Sequence, residues 1–249
     1  MPSHNQTLKH REAIHDILNE RSSISIQELS ELLYISPSTV RRNVAAMSDL
    51  YPNITRTHGG VAIDAFVSSR AKRESNIPSG LVSKAAALVC QGDTVFLDSG
   101  QTALSLAKII GEMDINIVTI DLSVAFYLKD CSRCNTTLIG GEVSNSCEFT
   151  TGDKARSQLM DYQFDLAFIS TNCFDLVHGV TAPHEINAKI KRTAMLNAKR
   201  RYLIAEGNKF NKFSFHHVAK LQEFDRVITD RAIPNKTVDM LLKHGVLMN

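Results

Sequence analysis

The sequence predicts an α/β protein of two domains, an N-terminal winged helix-turn-helix and a C-terminal, mostly parallel α/β domain. Over roughly the first 60 residues, apolar side chains recur at helical spacing in short segments, and a polar hairpin pattern follows. From residue 85 onwards strand, loop and helix patterns repeat, which favours a parallel sheet covered on both faces. We place the domains at residues 1–63 and 85–249, joined by a linker over residues 64–84.

Length and composition agree with two packed cores. The chain has 249 residues, of which 43% are hydrophobic and 22% are charged, and such values are typical of globular domains. No apolar run approaches the ~20 residues that span a bilayer, and the N-terminal residues lack the apolar stretch of a secretory signal. We therefore expect a cytoplasmic protein with no membrane partner.

The cysteines indicate neither a disulfide framework nor a metal site. The chain has five of them, and an odd number in a chain without a leader argues against a set of disulfides. Cys131 and Cys134 form one CxxC, but a structural zinc site ordinarily needs a second pair, which the sequence lacks. We expect reduced thiols, no metal and no cofactor.

Three helices are predicted in the first domain. Residues 8–20 have one apolar helical face, and Ser25 and Glu28 form a capping box that opens the second helix. Ser36 is placed to cap the third helix, with Pro37 at its first position. Two short helices joined by a tight turn, the second polar and then basic at its start, are typical of a helix-turn-helix.

A short hairpin is predicted after the third helix. Ile54–Thr57 has the pattern of a strand, His58-Gly59-Gly60 that of a turn, and Val61–Ile63 that of the returning strand. A hairpin in this place is the wing of a winged helix-turn-helix. Its basic residues would meet the DNA backbone or the minor groove.

The DNA-facing surface is expected in the second half of this domain. Residues 8–35 carry more acidic than basic side chains, whereas residues 36–60 carry more basic ones. The helical period leaves the polar and basic side chains of the third helix outside its apolar stripe, where hydroxyl and guanidinium groups can bind phosphates and base edges. The candidate DNA-binding residues are Ser36, Ser38, Thr39, Arg41, Arg42, Asn43, Arg56, His58, Gly59 and Gly60.

The second domain alternates strands with helices. The predicted strands are Thr94–Leu97, Ile115–Ile120, Thr137–Ile139, Leu166–Ile169, Tyr202–Ala205 and Arg226–Thr229. The predicted helices are one that ends at Ala85–Val89, then Ala103–Ile110, Ser123–Leu128, Glu185–Lys199 and Lys236–Lys243. Ligands of such sheets bind beyond the carboxyl ends of the strands, so the binding site is expected at that edge.

Polar and glycine-rich segments at these strand ends form a candidate anion site. The loop Asp98–Thr102 opens a helix, whose first backbone N–H groups favour a phosphate. Lys209 follows a further strand and is placed to pair with the same anion. The candidate ligand-binding residues are Asp98, Ser99, Gly100, Thr102, Asp121, Gly140, Gly141, Glu142 and Lys209. Their convergence favours a small anionic, phosphorylated ligand.

No catalytic residues are assigned. The sequence contains neither GxGxxG nor a Walker A motif. Carboxylates and an imidazole at Asp98, Glu142, His184 and Glu185 could supply acid–base chemistry, but no nucleophile and base stand at diagnostic spacing. A sugar-phosphate isomerase or transferase fused to a DNA-binding domain is the alternative hypothesis, and a regulator that responds to a protein partner is a further one.

The chain resembles the DeoR family of bacterial transcriptional regulators over nearly its whole length. ISPSTVRRNVAAM is similar to the family's recognition helix and TRTHGGV to its wing, and VFLDSGQTALSLAK, INIVTIDLSVA, LIGGEV, DLAFISTN, HGVT, EGNKF and VITD follow in family order. The resemblance implies a sensor domain similar to ribose-phosphate isomerase and CoA-transferase-like folds. It also implies an oligomeric repressor (dimer or tetramer) of a carbohydrate-use operon, which a phosphorylated sugar releases from operator DNA.

Three places depart from the family pattern. Asn43 stands where an acidic residue is usual after the two arginines, and Asp121 stands where Asn is common. Near the last strands, Glu206-Gly207-Asn208-Lys209 replaces an acidic-serine-lysine stretch, so that Lys209 is kept while its neighbours differ. The resemblance therefore leaves open the identity of the sugar, the operator and the direction of regulation.

Overall fold

The N-terminal domain combines three helices with a small antiparallel sheet. The computed structural model describes residues 4–21, 23–50, 54–57, 59–63, 77–143, 148–230, 233 and 235–248. The elements of this domain are α1 (His4–Arg21), β1 (Ser23–Ser25), α2 (Ile26–Leu33), α3 (Pro37–Leu50), β2 (Ile54–Thr57) and β3 (Gly60–Ile63). The strands lie in the order β1-β3-β2, and β2 and β3 form the predicted wing.

The capping box predicted from the sequence is formed. The Ser25 hydroxyl accepts a hydrogen bond from Glu28 N at 3.0 Å, and Glu28 Oε2 accepts one from Ser25 N at 3.3 Å. These bonds satisfy two backbone donors that would otherwise be free at the start of α2. The apolar stripes of the helices then meet in one core, in which Leu29, Val40 and Val44 are buried.

The C-terminal domain is built on a six-stranded parallel sheet. Its elements are α4 (Ser79–Ala86), β4 (Thr94–Leu97), α5 (Gln101–Ile110), β5 (Asn116–Thr119), α6 (Leu122–Leu128), β6 (Asn135–Leu138), β7 (Glu142–Val143), β8 (Thr150–Thr151), α7 (Gly152–Met160), β9 (Phe164–Ser170), β10 (Phe174–Asp175), β11 (Gly179–Ala182), α8 (Glu185–Leu196), β12 (Ala198–Ile204), β13 (His216–Ala219), β14 (Arg226–Ile228) and α9 (Asn235–Lys243). The strand order is β14-β12-β9-β4-β5-β6. All neighbouring strands run parallel, as predicted.

Helices cover both faces of this sheet because successive strand residues point to opposite faces. Phe96 of β4 lies in one core together with Leu159 of α7, whereas its neighbours Val95 and Leu97 lie in the other core with Leu106 of α5. Burial on both faces explains why the central strands β4 and β9 have mostly apolar rather than alternating sequences.

Two small antiparallel sheets that the sequence analysis did not identify lie beside the large one. β11 pairs with both β10 and β13, and β7 pairs with β8. The first of these sheets matters for function, because β11 forms part of the wall of the main cleft described below.

The linker and α8 are among the segments whose predicted boundaries differ from the structure. α4 begins at Ser79, inside the expected linker, of which residues 64–76 lie outside the described part of the chain. The helix expected over Glu185–Lys199 ends at Leu196, because the Asn197 side chain donates to Leu159 O at 2.8 Å and the chain enters β12 at Ala198. None of the described helices combines the length and the apolarity needed to cross a membrane.

Candidate functional site

The start of α3 is held by hydroxyl groups. Ser36 Oγ accepts a hydrogen bond from Thr39 N at 3.3 Å, and it lies 2.9 Å from both Ser38 Oγ and Thr39 Oγ1. Pro37 occupies the first helical position, where its missing N–H costs nothing. Ser36 is therefore the cap that the sequence predicts, and the hydroxyls around it mark the N-terminal end of the helix.

The exposed face of α3 presents basic and small polar side chains. Ser38, Arg41 and Arg42 are exposed and Thr39 is half-buried. Asn43, in contrast, is only 2% exposed, and its amide donates to Thr39 O at 3.0 Å. The expectation that Asn43 lies outside the buried stripe is wrong, because it follows Thr39 by four residues and turns its side chain into the helix rather than towards solvent.

The wing supplies a second basic position. Arg56 is exposed on β2, and the exposed Gly59 has a φ of 88°, which the tight turn between β2 and β3 requires. His58 lies outside the described residues. Gly60 is buried, since a Cβ added there would stand 2.6 Å from both Ile24 O and the ring of Phe215 in the C-terminal domain. Gly60 thus packs against Ile24 and Phe215 and offers no exposed surface to DNA.

A cleft opens at the carboxyl ends of β4 and β9, where the parallel fold places ligand sites. Counted to its opening to solvent, it contains about 590 Å³ of space not filled by protein atoms. Polar side chains from several elements line it, namely Asp98, Ser99, Asn172, Thr181, Asn187 and Lys191. Ile120, Phe149 and Ile190 supply apolar walls.

Asp98 and Lys191 form the charged centre of this cleft. Asp98 is 0% exposed, and its Oδ2 accepts hydrogen bonds from Ser170 N at 2.9 Å, from the Ser170 hydroxyl at 3.1 Å and from Lys191 Nζ. Lys191 Nζ also donates to Ser170 O at 3.1 Å. The other carboxylate oxygen, Asp98 Oδ1, is buried and has no partner among the described residues. A buried acceptor without a donor is costly, so the site is suited to a ligand that brings a hydroxyl group.

Of the ligand-binding residues predicted from the sequence, the structure places Asp98 and Ser99 in the cleft wall. Gly100 and Asp121 do not line the cleft, but they are bonded to each other. Asp121 Oδ2 accepts a hydrogen bond from Gly100 N at 2.9 Å, and Asp121 Oδ1 accepts one from Val124 N at 2.9 Å. Asp121 therefore ties the loop after β4 to the start of α6.

The pKa of Asp121 is raised from 3.8 to about 6, chiefly because the carboxyl is buried. Its hydrogen bonds with backbone N–H groups oppose this rise, whereas the negative charge of Glu148 adds to it. Asp121 therefore titrates closer to neutrality than an ordinary aspartate does.

The remaining predicted ligand residues do not line the cleft. Thr102 is buried in α5, and Gly140 N donates to the Gln158 side chain at 2.8 Å. Gly141 is exposed just before β7, and Glu142 is the exposed first residue of that strand. Lys209 Nζ pairs with Glu206 Oε1 at 3.0 Å. The cation of the cleft is instead Lys191, which was predicted only as a member of the helix Glu185–Lys199.

Lys191 has a periodic signal that could have identified it. It follows Asn187 by four residues, and both side chains line the cleft from one face of α8. An ordinary basic helix end would leave its cations exposed, whereas the Lys191 side chain is only 12% exposed. Recognising this from the sequence would have required knowing that the buried Asp98 lies opposite.

The two domains touch beside this cleft. Ser23 Oγ of β1 lies 2.9 Å from Ser214 Oγ, and both serines are buried. The next residue, Phe215, packs its ring over Gly60 of the wing. Ser214 N also donates to Thr181 Oγ1 at 2.8 Å, and Thr181 lines the cleft.

The chain matches known family models over most of its length. A model described as the DeoR C terminal sensor domain matches residues 80–231, and one described as the DeoR-like helix-turn-helix domain matches residues 11–65. These two spans coincide with the parallel α/β domain and with the winged helix-turn-helix.

Curated relatives resemble the chain from end to end. The HTH-type transcriptional repressor GlcR of Bacillus subtilis is 30% identical, over 94% of this chain and 92% of that protein. The HTH-type transcriptional regulator GlpR of Haloferax volcanii is 27% identical, over 93% of this chain and 92% of that protein. Among solved structures, a ribose 5-phosphate isomerase A of Methanocaldococcus jannaschii covers 53% of this chain and 52% of its own, with 13% identity and a TM-score of 0.38. A TM-score this low supports no functional conclusion.

Proposed function

Because the chain belongs to the DeoR family of transcriptional regulators, we propose that it represses a carbohydrate-use operon and is released from operator DNA by a phosphorylated sugar. Its two domains make it a DNA-binding regulator rather than an enzyme. The observation that carries the ligand proposal is the buried Asp98 Oδ1, which has no donor among the described residues and belongs to a cleft that also holds Lys191.

Operator reading is assigned to α3 and the wing. In a helix-turn-helix the second helix enters the major groove with its N-terminal residues against the base edges. Ser38, Arg41 and Arg42 are exposed at that end of α3, and an arginine can bind guanine with two hydrogen bonds. Arg56 of the wing would bind a phosphate, which sets position rather than sequence preference.

Ligand recognition follows from the donors and acceptors of the cleft. A sugar hydroxyl would donate to Asp98 Oδ1, which accepts no hydrogen bond from the part of the chain that the structure describes. An ammonium group has three N–H donors, and Lys191 Nζ uses two of them, for Asp98 and Ser170 O. The third is available to a phosphate or hydroxyl oxygen, and the amides of Asn172 and Asn187 offer neutral partners for further hydroxyls.

We also propose that the protein acts as a homo-oligomer in the cytoplasm. Proteins of this class read two half-sites about one helical turn apart, and one copy of the chain carries one α3. Light scattering on the purified full chain tests this proposal, and a monomer at all working concentrations would contradict it.

The DNA-binding surface is tested with Arg41→Ala and Arg42→Ala. The probe is a double-stranded DNA selected by the wild-type protein from a random-sequence pool, hereafter the selected operator. Each variant should lose about 1–3 kcal/mol of binding free energy, the value of a bidentate base contact. Lys129→Ala, which removes an exposed cation from the C-terminal domain, is the matched control. Equal affinity of all three variants and the wild type would refute the assignment.

The cleft is tested by calorimetric titration of the full chain with a panel of pentose and hexose phosphates. At least one should bind the wild type, and Asp98→Asn should weaken that binding at least tenfold, because the amide cannot replace both acceptor oxygens. Asp130→Asn changes an exposed carboxylate and should leave binding intact. Asn187→Ala provides a second cleft variant that leaves the Asp98–Lys191 pair in place. Binding that is unchanged in both cleft variants would move the site elsewhere.

A further inference from the structure

The turn between α2 and α3 contains a strained and exposed tyrosine. Tyr34 has φ 52° and ψ 39°, the left-handed conformation that ends α2, and its N–H is directed at Glu31 O at 3.4 Å. Its side chain is 94% exposed. Helices commonly end on such a residue, but glycine or asparagine ordinarily occupies the position because a larger side chain is strained there.

Hydrogen bonds from Ile35 N to Ser30 O at 3.2 Å and from the Ser30 hydroxyl to Ile35 O at 2.6 Å hold this turn, but the Tyr34 side chain adds no packing to them. A bulky residue held at positive φ is rare, and it persists when its surroundings or its function require it. The ring of Tyr34 buries almost no surface, so packing does not compensate the cost. The position is therefore unfavourable for stability, which points to a partner outside the chain.

We propose that Tyr34 contacts the DNA backbone beside the groove that α3 enters. Tyr34 stands two residues before Ser36, which caps α3, so it lies at the end of the helix that faces the bases. A tyrosine hydroxyl is one of the side-chain groups that bind phosphates. The exposed Tyr34 ring is therefore accessible to DNA bound at that end of α3. This inference rests on the proposed DNA-binding function.

Tyr34→Asn and Tyr34→Phe separate a binding role from a structural one. Asparagine relieves the strain, so Tyr34→Asn should raise the melting temperature of the full chain while weakening affinity for the selected operator about tenfold. Tyr34→Phe keeps the strain but removes the hydroxyl, and we expect an affinity loss of about threefold, that of one hydrogen bond. A gain in stability together with a loss of affinity is the signature of a residue retained for binding.

Two further variants distinguish failure of the Tyr34 proposal from failure of the proposed function. Leu196→Asn changes an apolar side chain of α8 that is 82% exposed, and it should leave affinity unchanged. Arg42→Ala should abolish or weaken binding if the DNA-binding surface is correct. If Arg42→Ala weakens binding while both Tyr34 variants bind as the wild type does, the Tyr34 proposal is refuted and the proposed function stands. If the wild type selects no DNA, both fail.

A second inference rests on a different observation, the contact between the domains. We infer that Phe215 is a positioning residue that couples the cleft to the wing. Ser214 is bonded through its N–H to Thr181 in the cleft wall and through its hydroxyl to Ser23 in the N-terminal domain. Phe215 follows at once and packs over Gly60, the first residue of β3. A ligand that shifts β11 would therefore shift the strand that carries the wing.

The contact between Phe215 and Gly60 leaves the ring little space to move. Gly60 has no room for a side chain beneath the Phe215 ring, so movement of the ring must move β3 or open the contact. β3 in turn pairs with β2, with Val61 opposite Arg56. Coupling of this kind works in both directions, so DNA binding must affect the cleft as strongly as the ligand affects DNA binding.

Phe215→Ala tests the coupling, with Phe213→Ala as the matched control. Phe213 lies two residues away and stacks on His178 in its own domain. The probe is the panel sugar phosphate that binds the wild type, and the measurement is affinity for the selected operator with and without it. We expect at least a tenfold difference in the wild type and in Phe213→Ala, and a difference of less than threefold in Phe215→Ala, whose sugar-phosphate affinity should remain within threefold.

A second measurement needs no sugar phosphate. It follows the rate at which a thiol reagent labels the buried Cys173 thiol, which lies 3.3 Å from Thr181 Oγ1. Operator DNA should slow this labelling in the wild type but not in Phe215→Ala. Equal protection in both proteins refutes the coupling even if the ligand is never found. Ser214→Ala, which keeps the backbone bond to Thr181, repeats the test if Phe215→Ala is too unstable.

Discussion

Asp121 stabilises the loop after β4 without lining the cleft itself. Its two carboxylate oxygens accept hydrogen bonds from Gly100 and Val124, so the loops after β4 and β5 are held by a single side chain. The same burial that makes these bonds strong raises its pKa to about 6. Above that pH the folded protein carries a buried negative charge that the unfolded chain would place in water.

This buried charge makes stability depend on pH. The folded-state pKa exceeds the usual 3.8, so the folded protein binds a proton more tightly than the unfolded chain. The resulting stabilisation is present below about pH 4 and is lost as the pH rises through about 6. The difference between the two pKa values corresponds to about 3 kcal/mol. Asp121→Asn should flatten the urea-unfolding free energy across this window.

Denaturation curves at pH 4.5 and pH 7 would measure this effect. Asp130→Asn, which changes an exposed carboxylate, should keep the slope of the wild type. An Asp121→Asn protein with the same pH dependence as the wild type would show that another group causes it.

At the level of single residues, the sequence predicted Asp98 but not Lys191 as part of the charged centre of the cleft. Asp98 follows an apolar strand and precedes a helix. It therefore lies at the carboxyl end of a strand, where ligands of parallel sheets bind. Lys191 lies in the middle of α8, and its pairing with Asp98 arises only when β4 and α8 pack together across nearly a hundred residues of chain. The burial of Asn43 was likewise missed, because the helical stripe was drawn too narrowly around Val40 and Val44.

At the level of elements, the clearest sequence signals are those with a local cause. The Ser25 and Glu28 capping box needs only its own four residues, and β4 needs only a run of apolar side chains between polar ends. For β12 the prediction began only at Tyr202, because the exposed Lys199 and Arg200 in its first half continue the basic pattern of the preceding helix. The two-residue strands β7, β8 and β10 are too short to show a period. Their existence follows from tertiary pairing rather than from local sequence.

Ser25→Ala should cost the folded protein about 1 kcal/mol, since it removes the side chain that caps α2. Because α2 supports α3, operator affinity should fall only as far as the folded fraction falls. Denaturant unfolding followed by circular dichroism gives the free energy. Gln27→Ala, which removes an exposed side chain bonded only to Glu31, is the control, and equal losses in both variants would contradict the capping role.

At the level of the whole molecule, attraction to DNA is local rather than global. The formal net charge is only +2, so long-range attraction to a polyanion is weak. Binding must depend on a small number of cations held in register by α3 and the wing.

Salt dependence provides a test of this view. The logarithm of operator affinity should fall linearly with the logarithm of salt concentration, and Arg56→Ala should reduce the slope by about 0.9, the contribution of one phosphate contact. Lys129→Ala removes the same charge from the other domain and should leave the slope unchanged. Equal slope changes in both variants would indicate that bulk charge, not the wing, governs binding.

Gly60 has a consequence for the genetics of this regulator. Any missense change there adds a Cβ that meets both Ile24 O and the Phe215 ring, so such alleles should derepress the target genes. A second-site change of Phe215 to a smaller residue removes only one of the two clashes, because the backbone oxygen remains. Suppressors of Gly60 alleles at this position should therefore restore repression in part, and the rescued strains should respond poorly to inducer.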